Sequence, residues 1–274
     1  MSSCYVETTL PAVAIAESDN WVNRVGFRLL KQVELRVGGQ MIDRQYSTWM
    51  HVWTELSHTT DQKALLDKLV GAKEADGARA TDAVVAAKTL NIPLLFSFCR
   101  NPGLALPLIA LQYHEVELHI EFETLARCMS DGDTSNTGNL SNTSLWVDYI
   151  FLDAEERKEF AANPHEYLIE TVQTQEATLS GTSVNSVRLT FNHPTKELVW
   201  VCRQTTPSAD VFTDFTNGSS ANNLTNGKLK LNGQDRFAQR NADYFNYVQP
   251  YQHHTGKPDL GINCYSFALK PEEH

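Results

Sequence analysis

RNPGLALPLIALQYHEVELHIEFE, residues 100–123, decides the fold. In its second half Val116, Leu118, Ile120 and Phe122 alternate with Glu115, Glu117, His119, Glu121 and Glu123, the period-two pattern of a half-buried β-strand. In its first half Pro102, Gly103 and Pro107 interrupt Leu104, Leu106, Leu108, Ile109 and Leu111, which excludes a helix interior and a central ladder strand. The same segment is too apolar for a solvated loop, so it must lie against other parts of the protein. A proline-shaped apolar lead-in to a strand with one charged face predicts a β-sandwich with packed loops, and it carries no catalytic equipment.

Upstream, residues 4–10 read as a short strand closed by Pro11. Residues 28–37 alternate Leu29, Lys31, Val33, Leu35 and Val37 with Arg28, Leu30, Gln32, Glu34 and Arg36, and Gly38-Gly39 turns them into residues 40–44 as a hairpin. The period then changes: Tyr46, Trp49, Met50, Trp53 and Leu56 fall at helical spacing, and this aromatic stripe is read as core. Asp61 is expected to cap a helix over 62–70, with Leu65, Leu66, Leu69 and Val70 buried and Gly71 just past its end. Residues 72–88 are rich in alanine and charge, a helical or irregular excursion. In 90–98, Pro93 inside an apolar run predicts a sheet edge or a bulge.

Downstream, 129–144 is a polar surface loop, and 145–152 is apolar at nearly every position, as expected for a strand covered on both faces. Asp153 with Glu156 forms a capping-box signature for a helix that stops at Asn163-Pro164. Beyond it, 167–174, 187–191, 198–203 and 262–269 read as strands, and 213–227 as another polar loop. The fold class is therefore all-β, and the charged helix divides it into two units, 1–152 and 153–274.

The 274 residues carry a formal charge of −10, which argues against a surface that replaces the counterions of nucleic acid. Five cysteines (Cys4, Cys99, Cys128, Cys202, Cys264) lack CxxC spacing, so neither a disulfide framework nor a zinc cluster is encoded and free thiols in a reducing compartment are expected. No signal-peptide pattern opens the chain, and no apolar run approaches the ~20 residues that cross a bilayer, so the expectation is a soluble protein without a secretion address. His114 and His119 are an odd number of residues apart and point to opposite faces of a strand, and the adjacent His253 and His254 diverge likewise. No metal site is expected from these spacings. The row Glu115, Glu117, Glu121, Glu123 reads as a solvated or interface face, because catalytic carboxylates usually oppose each other across a cleft. Hydrolase-elbow, P-loop and dinucleotide motifs are absent from the sequence, so no catalytic, cofactor-binding or metal residues, and no enzyme, are expected. Asn139, Asn142, Asn217 and Asn223 stand in Asn-x-Ser/Thr sequons of the two polar loops, which implies exposure, with unmodified asparagine expected in the absence of a secretion address.

The ordered series GGQ at 38–40, IDR at 42–44, Trp49 and Trp53, RNPGLALPLIAL at 100–111, Tyr113-His114-Glu115 and SFALKP at 266–271 closely resembles the double jelly-roll major capsid proteins of nucleocytoplasmic large DNA viruses, the iridovirus and algal-virus group. The resemblance implies two consecutive jelly rolls with short helical insertions in a capsomer subunit that forms a homotrimer and tiles an icosahedral shell. It implies neighbouring capsomers and minor capsid proteins as partners, an inner membrane reached only through other proteins, no direct nucleic-acid contact and assembly in the host cytoplasm into the virion. Each roll in that family has sheets B-I-D-G and C-H-E-F. The chain is expected to lack B and C of the first roll and H and I of the second. A jelly-roll carbohydrate-binding or glycan-processing protein is the alternative of another class, and would need an aromatic platform or a carboxylate cleft.

Overall fold

The computed structural model describes residues 1–14, 21–72, 84–129, 138–180, 185–204, 212–217 and 221–274. In the first half two three-stranded antiparallel sheets share one core. One sheet runs Lys88–Pro93, Ser3–Leu10, Ser141–Asp148 in spatial order, and the other Gln40–Tyr46, Leu30–Val37, Val116–Phe122. Lettering these strands D to I along the chain gives G-D-I and F-E-H, which is the expected pair of sheets without B and C. Cys4, Val6, Leu10, Leu90 and Ile92 from the first sheet meet Leu30, Val33 and Leu35 from the second. Period-two alternation works because a strand packed on the core turns one face toward it.

The strand that organises the sequence holds its place. Val116, Leu118 and Ile120 pack on the core, Leu118 opposite Leu35 in register, while Phe122 at the strand end is left 37% exposed. Its lead-in is half-buried, with Leu104 inside and Leu106 N–H donating to the Met1 carbonyl at 2.8 Å. Gly38 and Gly39 both have positive φ, 58° and 80°, the geometry of a tight hairpin turn that side chains resist. Pro93 ends an edge strand, where its missing N–H leaves no ladder gap.

The helix Ser47–Ser57 serves two cores. Met50 and Trp53 enter the first, whereas Val52 and Leu56 join Phe215, Ile262 and Cys264 in a smaller one built around the antiparallel pair Glu197–Val201 and Ile262–Ser266. The following helix, Thr60–Val70, is capped by Thr59 rather than Asp61: Thr59 and Gln62 exchange side-chain bonds in a capping box, and Asp61 lies in the first turn. Of the four apolar residues expected inside, Leu66 and Val70 are buried, while Leu65 and Leu69 face outward, since a single packed stripe accommodates only part of the turn. Gly71 closes the helix in the left-handed conformation.

Three further expectations change. The strand read at 145–152 is Ser141–Asp148, so 141–144 leave the loop assigned at 129–144, and most of the strand is exposed. It is the outer strand of its sheet, and no described element covers it. Residues 167–174 and 187–191 are extended but form no ladder, because an extended segment becomes a strand only when a neighbour takes its N–H and C=O groups. The expected layout would place H and I beside them, and among the described residues no strand occupies those positions. The two segments touch through side chains instead, Gln173 Nε2 donating to Asn192 Oδ1 (2.7 Å) and Gln175 Nε2 to the Arg188 carbonyl (2.6 Å). The segment 198–203 is the strand Glu197–Val201, and 262–269 is Ile262–Ser266. The capping box at Asp153 and Glu156 forms as expected on the helix Ala154–Ala162. Most of the excursion at 72–88 and the middle of the loop at 129–144 lie outside the described residues.

Candidate functional site

Three of the four carboxylates in the acidic row meet basic side chains. His119 bonds Glu117 at 3.0 Å, Lys31 bonds Glu121, and Glu123 lies 3.9 Å from Arg28 and 3.6 Å from Arg127. These carboxylates meet bases along one sheet rather than each other across a cleft. His114 sits under the hairpin, where a Cβ on Gly38 would come 2.8 Å from its Nδ1. It and His119 are not brought together.

A cluster that local spacing does not reveal lies in the second half. His254, just past the helix Gln249–His253, has a side chain with no exposure, and its Nε2 lies 2.5 Å from Glu197 and its Nδ1 2.9 Å from Glu272. Glu272 also accepts from the Thr255 N–H (2.9 Å) and hydroxyl (2.6 Å). Burial alone would lower the imidazole pKa, but bonds with Cys264, Glu197 and Glu272 outweigh it and push it up to about 11. The Glu272 carboxyl is held below its ordinary range, since the His254 and Thr255 bonds overcome desolvation. Ligand atoms of Glu197, His254 and Cys264 lie within 4.8 Å of one another. Both imidazole nitrogens are already engaged by carboxylates, so a charged imidazolium accounts for the arrangement without a cation. Sequence separations of 57 and 18 residues put the cluster beyond any local motif.

A second buried network ties the first core to its helices. Arg24, at φ 53°, pairs with Glu55 (2.5 Å) and Asp67 (2.7 Å) and contacts His51 Nδ1 (3.0 Å). Burial, reinforced by Arg24, holds the His51 pKa well below 6.5, which keeps the ring neutral against Phe212 and Phe215. These are structural ion pairs in a packed interior, not groups opening on a cleft.

A depression of about 470 Å³ lies between Ser97, Arg100 and Leu104 on one side and Glu170, Glu272 and His274 on the other. Arg100 pairs with Glu170 across it at 3.3 Å, so its charges are matched internally. Of the sequon asparagines, Asn139 and Asn142 are exposed. Asn223 differs from expectation: it is half-buried, and its amide donates to the carbonyls of Cys202 (2.7 Å), Phe215 (2.8 Å) and Thr216 (3.1 Å). That amide pins the loop and is committed to the interior.

What the surface does offer is apolar area. Leu145 and Trp146 on the edge strand continue into Tyr149, Ile150 and Phe151, the last 84% exposed, and Leu168 is 80% exposed. A run of this kind is costly in water and ordinarily meets another protein surface. No described helix is long and apolar enough to cross a membrane.

Two family models match in succession, one described as the major capsid protein N-terminus over residues 1–153 and one as the large eukaryotic DNA virus major capsid protein over 156–274. The major capsid protein of Pyramimonas orientalis virus is 43% identical over 91% of this chain and 65% of its own length. That of Phaeocystis pouchetii virus is 34% identical over 98% of this chain and 76% of its own. The crystal structure of PBCV-1 VP54, fitted into a reconstruction of the virophage Sputnik, superposes with a TM-score of 0.81 at 35% identity, covering all of this chain and 72% of that one. The chain thus spans about two thirds to three quarters of the relatives it matches. Those relatives are named as structural capsid proteins, not as enzymes.

Proposed function

This chain belongs to the major capsid protein family of large eukaryotic DNA viruses, and from that premise we propose that it is a capsomer subunit which forms homotrimers and tiles an icosahedral shell. Its fold is the all-β one of that family, two consecutive jelly rolls with short helical insertions. We assign the rolls to 1–152 and 153–274, with the capped helix Ala154–Ala162 as the joint.

The observation that carries the reading is the exposed apolar run through Leu145, Trp146, Tyr149, Ile150 and Phe151. Shell building needs sides that exclude water against a neighbour, not a pocket, and specific contacts of this kind bury about 1,200–2,000 Å² in total. A second copy related by cyclic symmetry supplies such a side repeatedly and closes on itself. Neighbouring capsomers and minor capsid proteins are the further partners, and the virion is the location. The formal charge of −10 supports a shell that encloses a genome without binding it directly.

Sedimentation velocity of the purified protein tests the assembly state. A trimer across the micromolar range is expected, and Phe151→Asp together with Trp146→Glu should shift it to monomer. A wild-type monomer throughout that range overturns the proposal.

A further inference from the structure

We propose that Cys4 and Cys99 are a disulfide site, an oxidisable dithiol that joins the strand Ser3–Leu10 to the short helix Ser97–Arg100. Their Sγ atoms lie 3.5 Å apart although the residues are 95 positions apart in sequence, and both are free thiols. Nothing in the proposal depends on the capsid reading.

Both backbones are fixed by other bonds. Cys4 pairs across the sheet with Val147, and its carbonyl accepts from Leu94 N–H at 3.1 Å, which anchors the chain entering the helix. Cys99 N–H donates to the Phe96 carbonyl at 2.9 Å. Forming the disulfide brings the two Sγ atoms from 3.5 Å to ~2.05 Å.

The two thiols differ in a way that divides the chemistry. Cys99 is partly buried and Cys4 is buried. The bond from Cys4, aided by Arg100, lowers the Cys99 pKa, whereas the same bond and burial raise that of Cys4. Cys99 is the attacking thiolate and Cys4 the resolving thiol. With a low-molecular-weight disulfide such as oxidised glutathione, Cys99 Sγ attacks one sulfur, forms the mixed disulfide and expels a glutathione thiolate that takes up the Cys99 proton. Cys4 Sγ then attacks Cys99 Sγ, the mixed disulfide breaks, and the second glutathione leaves with the Cys4 proton. Two electrons and two protons pass to the oxidant, and the Cys4–Cys99 bond forms.

The test is to incubate the reduced full chain with oxidised glutathione, quench with an alkylating agent and map the peptides by mass spectrometry. The expected product has lost two hydrogens, contains a Cys4–Cys99 linked peptide pair and melts at higher temperature than the reduced protein, a shift reversed by dithiothreitol. Cys4→Ser should stop at a stable glutathione adduct on Cys99, and Cys99→Ser should leave Cys4 unmodified. Linkage through Cys128, Cys202 or Cys264 instead, or a glutathione adduct on the wild-type protein that never resolves, overturns the proposal. Should either variant fail to fold, the wild-type peptide map decides alone.

Discussion

Replacing His254 with glutamine tests the buried cluster directly. The imidazolium bridges Glu197 at 2.5 Å and Glu272 at 2.9 Å with no side-chain exposure. Glutamine is neutral and reaches only one carboxylate, so the variant leaves like charges facing each other in the interior. Breaking a buried pair by removing one partner costs about 3–5 kcal/mol, a large part of the ~5–15 kcal/mol that holds a domain. The wild-type folded state has its imidazole pKa pushed up to about 11 from 6.5. A pKa raised on folding contributes stability that is complete below about pH 6.5 and is lost as pH climbs toward 11, because the folded form holds a proton that the unfolded form has released. For one such group the slope approaches about 1.4 kcal/mol per pH unit inside that window. The neighbouring Cys264 thiol, pushed up to about 11 chiefly by burial, adds a loss of the same sign above about pH 9. Urea unfolding read by tryptophan fluorescence, Trp200 lying in the adjoining strand, should therefore be compared from about pH 6.5 to 8.5, where groups common to both proteins cancel in the difference. The gap between wild type and His254→Gln should be largest at the acid end and narrow as pH rises. Parallel curves, or a gap below about 1 kcal/mol at pH 6.5, would refute the charged-imidazolium reading.

The organising strand is tested by Leu118→Asp, which puts a charge against Leu35 and the first core and should cost several kcal/mol or abolish folding. Glu117→Gln, whose partner is the exposed His119, should change stability by less than about 1 kcal/mol, and equal tolerance at the two positions in thermal melts would contradict the face assignment. Hydrogen exchange should be slow over 30–37, a strand bonded on both edges, and fast over 163–180 and 185–195, which form no ladder. Uniform protection across both regions would mean that the second half finds ladder partners elsewhere.

Much of the first half is legible because its code is local. Period-two alternation at 116–122, the paired glycines at 38–39 and the capping box at Asp153 each report the backbone state of their own segment. Where the reading slips, the cause is nonlocal. The sequence at 145–152 is apolar at nearly every position, yet that strand lies at a sheet edge and is exposed, since composition describes what a segment could bury and not whether a cover is present. Residues 167–174 have strand-like residues but no neighbour to complete a ladder. The His254 cluster draws on a strand start, a helix end and the terminal turn, and no spacing rule joins those three. Thr59 rather than Asp61 takes the cap because Gln62 answers it three residues on.

The helix Ser47–Ser57 gives the two halves unequal independence. The first core draws every buried member but Phe212 from the first half. The second cluster is different: two of its five buried members, Val52 and Leu56, come from this helix, and the Leu56 carbonyl accepts from Gly256 N–H at 2.7 Å. The extended segment that follows the joint is anchored the same way, Val172 N–H donating to Asp43 at 2.9 Å and Glu170 meeting Arg100 at 3.3 Å. The described part of the second half is therefore tied to the first sandwich at several points. The apolar edge at 145–151 directly precedes the joining helix Ala154–Ala162 in the chain. The contact with a second copy proposed above would cover this exposed run, and any binding that selects the folded form raises its apparent stability by mass action.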